Sequence, residues 1–169
     1  MASASAPPTM KMYVTLRRGA RMGRSAAQPN WGERGEGERG ERPRVVVENP
    51  DFGIGFAVER VLENAGYQVA VCGGPDSLPG HECPLVFTGA CSLVSGADVV
   101  VHSLNPDRSE HAEVLRALRA KHPDTPIVVE VPGPSAARHA GLLDGCVVVP
   151  FPASRESLVG AVEEALAQG

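Results

Sequence analysis

The 169-residue sequence has few aromatic side chains, no long apolar run and only four cysteines. Seven aromatic residues leave little surface for stacking on nucleic-acid bases, so the core must be aliphatic. No stretch approaches the roughly 18 to 20 consecutive apolar residues of a membrane span, and the first residues lack the apolar core of a signal peptide. Four irregularly spaced cysteines are too few for a disulfide scaffold. We therefore expect a cytoplasmic protein with one ordinary globular domain.

The net charge of -4 averages two unlike parts of the chain. Residues 1–43 carry eight basic and four acidic side chains, for a net charge of +4, whereas residues 44–169 carry eight basic and sixteen acidic ones, for -8. The first part is rich in Ala, Ser, Pro, Gly, Glu and Arg and has no helical or strand period, so a disordered tail or a misassigned start is predicted. Residues 44–169 are predicted to fold, and their acidity argues against binding of nucleic acid by the domain.

Short valine-rich runs alternate with helical patterns along residues 44–169. The predicted strands cover residues 44–48, 67–72, 97–102, 126–131 and 146–149. Helices are predicted to begin at Asn49-Pro50-Asp51, at the capping-box-like Asp107-x-x-Glu110, at Ser135 and at Ser154. Nearly continuous Val/Ile strands separated by helices favour a parallel sheet covered on both faces. The predicted fold is therefore α/β, a doubly wound sheet of five parallel strands.

Polar residues stand at the predicted ends of these strands. In a doubly wound sheet, ligands bind at the carboxyl ends of the strands, near the point where strand order reverses. The first strand ends at Glu48 and is followed by Asn49, and the third ends at His102 and is followed by Ser103. The fifth strand ends at Val149 and is followed by Pro150-Phe151. These residues are the candidate site.

The order and spacing of these segments resemble the receiver domain of bacterial response regulators, which has the CheY-like flavodoxin topology. The resemblance lies in RVVVENPDFGIGFAVERVLENAGYQV, GADVVVHSLNPD, HAEVLRALRAKHPDTPIVV, and DGCVVVPF followed by a final amphipathic helix. It covers residues 44–169 and implies the fold, together with a role in signal transduction of the phosphorelay type.

The resemblance also implies a site that this sequence carries only in degenerate form. Receivers hold Mg²⁺ with an acidic pair after the first strand, phosphorylate an aspartate after the third, place a hydroxyl after the fourth and a lysine before the proline after the fifth. Glu48 and Asn49 match the acidic pair, and Ser103 or, with a one-residue shift, His102 matches the aspartate. Glu130 or Val131 matches the hydroxyl position, and Val149, before Pro150, matches the lysine. Without the aspartate and the lysine, the acyl phosphate of the family cannot form. The sequence therefore predicts a pseudo-receiver that is not an enzyme.

Residues 73–96 occupy the place of a receiver's second helix, but they are rich in Gly and Pro and a loop is predicted there. Cys83-Pro-Leu-Val and Cys91-Ser-Leu-Val form a degenerate repeat within this segment, Cys72 ends the second strand, and His81 precedes Cys83. These four side chains could bind Zn²⁺ or an iron–sulfur cluster, although the spacing contains no C-x-x-C. The alternatives are a Cys83–Cys91 disulfide or redox pair and three thiols buried in a packed loop, which we favour.

Three functional hypotheses follow from these features. The first is a stand-alone pseudo-receiver that binds a protein partner, as the family does through its fourth strand, fourth helix and fifth strand, and that needs no cofactor. The second is a metal-binding or redox-responsive protein that uses Cys72, Cys83 and Cys91. The third is a small-ligand binder that uses the crevice beside Glu48, Asn49 and Ser103.

Overall fold

The chain folds around a five-stranded parallel sheet in the computed structural model, which describes Trp31 and residues 42–76 and 82–169. The strands are β1 (Arg44–Glu48), β2 (Gln68–Cys72), β3 (Val99–His102), β4 (Ile127–Val131) and β5 (Val147–Pro150). Their order in the sheet is β2-β1-β3-β4-β5, and every neighbouring pair is parallel. The predicted fold is confirmed, and strand order reverses between β1 and β3, where such sheets bind ligands.

Helices connect the strands on both faces of the sheet. They are α1 (Phe52–Asn64), a 3₁₀ turn (Gly74–Asp76), α2 (Pro84–Phe87), α3 (Ser92–Ser95), α4 (Ser109–Lys121), α5 (Gly133–Arg138), α6 (Ala140–Leu143) and α7 (Arg155–Gln168). Each is amphipathic or short, and none in the described part of the chain is both long and apolar enough to span a membrane.

Two helices begin later than the sequence predicts. Asp51, rather than Asn49, is the N-cap of α1, because its carboxylate accepts the backbone N–H groups of the first turn at 2.8 and 3.1 Å. The capping box predicted at Asp107 does not form. Helix α4 starts at Ser109, and its N-cap Arg108 makes no capping hydrogen bond.

The segment after β2 is not the loop that its glycines and prolines predict. It contains the 3₁₀ turn and the one-turn helices α2 and α3, and each of these two helices starts directly after a cysteine, Cys83 or Cys91. The degenerate repeat is therefore a repeated structural unit. Each unit buries leucine in the core, Leu85 in the first and Leu93 in the second, so apolar packing holds the segment without a long helix.

Each face of the sheet buries its own aliphatic cluster, because successive side chains of a strand point to opposite faces. Val46, Val100 and Val129 pack beneath α2, α3 and α4 on one face. Val45, Val47 and Val101 pack beneath α1 and α7 on the other. The same alternation sends the side chains at the ends of β1, β2 and β3 toward the first face.

Two residues before the predicted boundary at residue 44, Trp31 and Arg42, contact the folded domain. The Arg42 guanidinium donates to the carbonyls of Gly66 and Tyr67, at 3.0 and 3.2 Å. The Trp31 ring packs against the first-face cluster, with the Arg44 guanidinium carbon 5.8 Å from the ring centroid. A translation start just before Arg44 would remove these contacts. Apart from Trp31, Arg42 and Pro43, the predicted tail lies outside the described residues.

Candidate functional site

A buried row of polar side chains crosses the carboxyl end of the sheet. Strand register places Glu48 between Cys72 on β2 and His102 on β3. His102 Nδ1 lies 2.6 Å from Glu48 Oε2, and the two side chains are 0% and 4% exposed. The Nδ1–H group donates to the carboxylate, so the acidic group that ends β1 is bound to an imidazole.

Asn49 is also bound to its own surroundings. Its side-chain oxygen accepts the Asp51 N–H at 2.9 Å, and its N–H donates to the Cys72 carbonyl at 2.9 Å. Mg²⁺ prefers carboxylate and water oxygens in near-octahedral geometry. Glu48 faces His102 and the second position carries a neutral amide, so these residues do not fit the Mg²⁺ that the receiver resemblance implies.

Ser103 follows β3 and contacts a carboxylate on the neighbouring strand. Its hydroxyl donates to Glu130 Oε2 at 2.9 Å, and its N–H donates to the Glu48 carbonyl at 2.8 Å. Glu130 is 6% exposed, and its other oxygen, Oε1, accepts the Ala153 N–H at 2.9 Å. The sequence predicts Glu130 only as a position near the hydroxyl of a receiver. A single acidic residue inside the apolar strand Ile-Val-Val-Glu-Val was the signal of a further role.

The end of β5 carries apolar side chains before both of its prolines. Val149 is buried within the strand, and Pro150 is the last strand residue, paired with Val131. The first proline beyond the strand is Pro152, so the residue before it is Phe151, which is 41% exposed. Neither Val149, which precedes Pro150, nor Phe151, which precedes Pro152, carries an ammonium group.

Solved structures share this strand order and this arrangement of helices. The chain is similar to the Vibrio cholerae chemotaxis protein CheY4, with 17% identity and a TM-score of 0.54 over 73% of this chain and 98% of that chain. It is also similar to the N-terminal signal receiver domain of a two-component response regulator from Bacteroides fragilis, with 18% identity and a TM-score of 0.58 over 76% and 100%. The chain has the CheY-like receiver fold. No protein-family model matches the sequence.

A third similar solved structure is described as belonging to a novel family of redox sensors in the streptococci that evolved from two-component response regulators. It is 12% identical to this chain, with a TM-score of 0.56 over 75% of this chain and 52% of that chain. At these identities the three likenesses establish the fold of the chain.

A second polar cluster joins the loop after β3 to α5. The Asp107 carboxylate accepts hydrogen bonds from Ser135 Oγ at 2.6 Å, from the Arg138 guanidinium at 2.6 Å and from His139 Nε2 at 2.9 Å. These donors, Arg138 first, hold the pKa of Asp107 well below its usual range. The cluster joins α5 to the loop after β3 at the carboxyl end of the sheet. It was not predicted, because Asp107 was assigned to a helix cap.

Asp107 is expected to give the receiver fold an acid-sensitive contribution to stability. Because its pKa is lower in the folded chain than in the unfolded one, the contribution is present above the ordinary aspartate pKa of about 3.9 and is lost as the pH falls toward the folded value. The melting temperature of the wild type should exceed that of Asp107→Asn by a constant margin above about pH 5. The margin should shrink toward about pH 2.

Thermal melts of both proteins between these pH values measure this margin. Asp124→Asn, at an exposed position outside the cluster, is the matched control and should track the wild type at every pH. A margin that stays constant down to the acid limit would show that the Asp107 contacts do not form in solution.

His111 joins α4 to the 3₁₀ turn after β2. The imidazole is 1% exposed, its Nδ1 accepts the Asn105 N–H at 3.0 Å, and its Nε2 donates to Asp76 Oδ2 at 2.8 Å. The Arg108 guanidinium also reaches Asp76, at 2.5 Å. Both ring nitrogens therefore have hydrogen-bond partners, and the histidine connects the loop after β3 to the 3₁₀ turn after β2.

The three cysteines near this edge pack against one core cluster, in which Cys83 is buried and Cys72 and Cys91 are partly buried. All three are free thiols, so the Cys83–Cys91 disulfide is absent. Burial, together with Glu48, raises the pKa of Cys72 to about 12, and burial also raises the pKa of Cys83. Protonated thiols are weak nucleophiles and weak metal ligands.

The ligand set predicted for a metal is not brought together in the part of the chain that the structure describes. Within residues 42–76 and 82–169, no three His, Cys, Asp or Glu side chains are placed to hold a metal ion. His81 lies outside the described residues. The cysteines thus form part of the packing of the receiver fold.

Proposed function

We propose that this chain is a receiver-fold module of signal transduction that acts by binding a protein partner and does not transfer phosphate to an aspartate. The Ser103–Glu130 contact carries the proposal. Ser103 stands at the position that the receiver resemblance assigns to the phospho-acceptor, and its hydroxyl donates to a buried carboxylate. A carboxylate at this distance repels an incoming anionic phosphoryl group. Two further features support the proposal, the lack of a lysine at Val149 and the engagement of Glu48 by His102.

A protein partner is supported by apolar residues exposed along β5. β5 is an edge strand of the sheet, and Val148 on it is 44% exposed. Phe151, directly after the strand, is 41% exposed. We call these two residues the β5 surface. Exposed apolar side chains of this kind favour protein interfaces.

Phosphotransfer is tested by incubating the full chain with Mg²⁺ and acetyl phosphate, followed by intact-mass measurement and peptide mapping. We expect no mass increase of one phosphoryl group, whereas a receiver that retains the aspartate, treated in parallel, should show one. A stable adduct at Ser103 or His102 would overturn the proposal. The same experiment with Ser103→Ala identifies the acceptor if an adduct forms.

The partner surface is tested by affinity capture from the native cell with three forms of the protein. The wild type and Phe56→Ser, a control at a 53% exposed position on α1, should retain the same protein. Val148→Glu should lose it, because a charge at the centre of the β5 surface opposes desolvation. Equal capture by Val148→Glu contradicts the assignment of the surface.

A redox response is the second candidate function. It is favoured by the convergence of Cys72, Cys83 and Cys91 on one cluster, and by the similarity to a structure described as a redox sensor. The raised pKa values of Cys72 and Cys83 disfavour it, because oxidation begins at the thiolate. A free-thiol count before and after treatment with hydrogen peroxide distinguishes the two candidate functions. Loss of two thiols together with altered partner capture would favour the redox response over the first candidate.

A further inference from the structure

Two hydrogen-bond donors from separate segments converge on Glu130. The Ser103 hydroxyl follows β3 and binds Oε2 at 2.9 Å, and the Ala153 N–H follows β5 and binds Oε1 at 2.9 Å. Each carboxylate oxygen thus has its own donor. The contact joins the ends of β3, β4 and β5 through one side chain, which is only 6% exposed at the residue level.

The donors are of the kind that hold anions. Ala153 immediately precedes Ser154, the N-cap of the fourteen-residue helix α7, and the N-terminus of a helix carries partial positive charge. A hydroxyl and a backbone N–H that point at one place supply two hydrogen bonds to an oxyanion. The place lies at the carboxyl edge of the sheet, where doubly wound sheets bind their ligands.

A carboxylate that belongs to the chain has an advantage over any free anion at this place. Glu130 is fixed to β4, whose register with β5 pairs it with Val149. Tethering makes the effective concentration of the carboxylate far higher than that of an anion in solution. A free anion would therefore have to displace Glu130 and leave that carboxylate buried without its donors, which is costly.

We infer that the carboxyl edge contains a binding site for small carboxylate anions, formed by Ser103 and Ala153, and that the Glu130 side chain occupies this site permanently. The site keeps the ends of the three strands in one arrangement without any added ligand. This inference does not rest on the proposed function, because it concerns what fills the site rather than which protein the module binds.

Amide hydrogen exchange of the full chain, read by NMR, tests the inference with two substitutions. Glu130→Ala removes a group equivalent to acetate and leaves space for it, whereas Glu130→Met removes the acceptors and fills the space. In both variants the Ala153 amide should exchange about ten-fold faster than in the wild type. Glu113→Ala, at an exposed position on α4, is the control and should leave this amide unchanged.

Sodium acetate is then titrated against sodium chloride at equal ionic strength. In Glu130→Ala, acetate should slow exchange of the Ala153 amide again and shift the Ser103 and Ala153 resonances saturably. The wild type and Glu130→Met should show no such shifts, because their sites are filled. Exchange in Glu130→Ala at the wild-type rate, or an acetate effect equal to that of chloride, overturns the inference.

If Glu130→Ala does not fold, the Glu130→Met variant tests the inference on its own. A wild-type exchange rate of the Ala153 amide in Glu130→Met then overturns the inference, and faster exchange of that amide, with the Ser103 amide unchanged on its Glu48 carbonyl, supports it. The outcome is independent of the acetyl phosphate experiment, which reports on covalent modification rather than on anion binding.

Discussion

Replacing Glu48 by alanine is expected to lower the free energy of unfolding by about 3 kcal/mol. The substitution leaves His102 buried at 0% exposure and without its 2.6 Å partner. The other ring nitrogen, Nε2, already has no hydrogen-bond partner among the described residues. The imidazole would then have both nitrogens buried and unsatisfied, a larger penalty than the loss of one ordinary hydrogen bond. Urea denaturation at neutral pH, followed by circular dichroism, measures the change.

The double variant Glu48→Met with His102→Leu is the matched control for this effect. Because apolar residues of similar volume replace both members of a buried pair, it should lose less stability than Glu48→Ala alone. If Glu48→Ala lowers the free energy of unfolding by less than about 1 kcal/mol, Glu48 and His102 do not form a buried hydrogen-bonded pair. That result would also return Glu48 to the set of side chains free to bind a cation.

His111→Ala is expected to cost about 3 kcal/mol of unfolding free energy, for two reasons that add. The substitution opens a cavity beneath α4, where the imidazole is 1% exposed. It also leaves the Asn105 N–H without its acceptor and removes one of the two side chains that bind the Asp76 carboxylate, Arg108 being the other. The loss should be concentrated in the 3₁₀ turn and in the loop after β3. Urea denaturation combined with hydrogen exchange of these two segments measures both the size and the location.

Arg108→Ala is the control, since Arg108 also binds Asp76 but its side chain is 50% exposed. Exposed ion pairs contribute little, so a change within about 0.5 kcal/mol is expected. Equal losses for the two variants would mean that the Asp76 carboxylate, rather than the buried imidazole, determines the stability of this region.

The sheet could be predicted from the sequence because each strand must be apolar on both faces. Runs such as Val45-Val46-Val47 and Val99-Val100-Val101 are typical of strands buried on both faces of an α/β sheet, and all five strands were placed within about two residues. The one-turn helices could not be predicted. Four residues, as in Pro84–Phe87 or Ser92–Ser95, are too few to show a helical period, and their conformation depends on the core beneath them.

The sequence predicts where the candidate site lies, but it does not predict which of its side chains contact each other. Glu48, Asn49, His102 and Ser103 meet at one edge because the carboxyl ends of parallel strands lie together. Which of them touch depends on register between strands that are distant in sequence, as in the 54-residue separation of Glu48 and His102. Ser103 and Glu130 are 27 residues apart. Strand β5 extends through Pro150, one residue beyond the predicted strand.

Trp31 is the sole tryptophan of the chain and lies against the core beside Arg44. Its fluorescence therefore reports on one place, the contact between the Trp31 ring and the domain, with no second indole to obscure it. Displacement of the ring would shift the emission to longer wavelength and open it to acrylamide quenching while the circular dichroism of the sheet stayed constant. The chain thus carries its own optical probe, which can register whether a captured partner displaces the ring or leaves it in place.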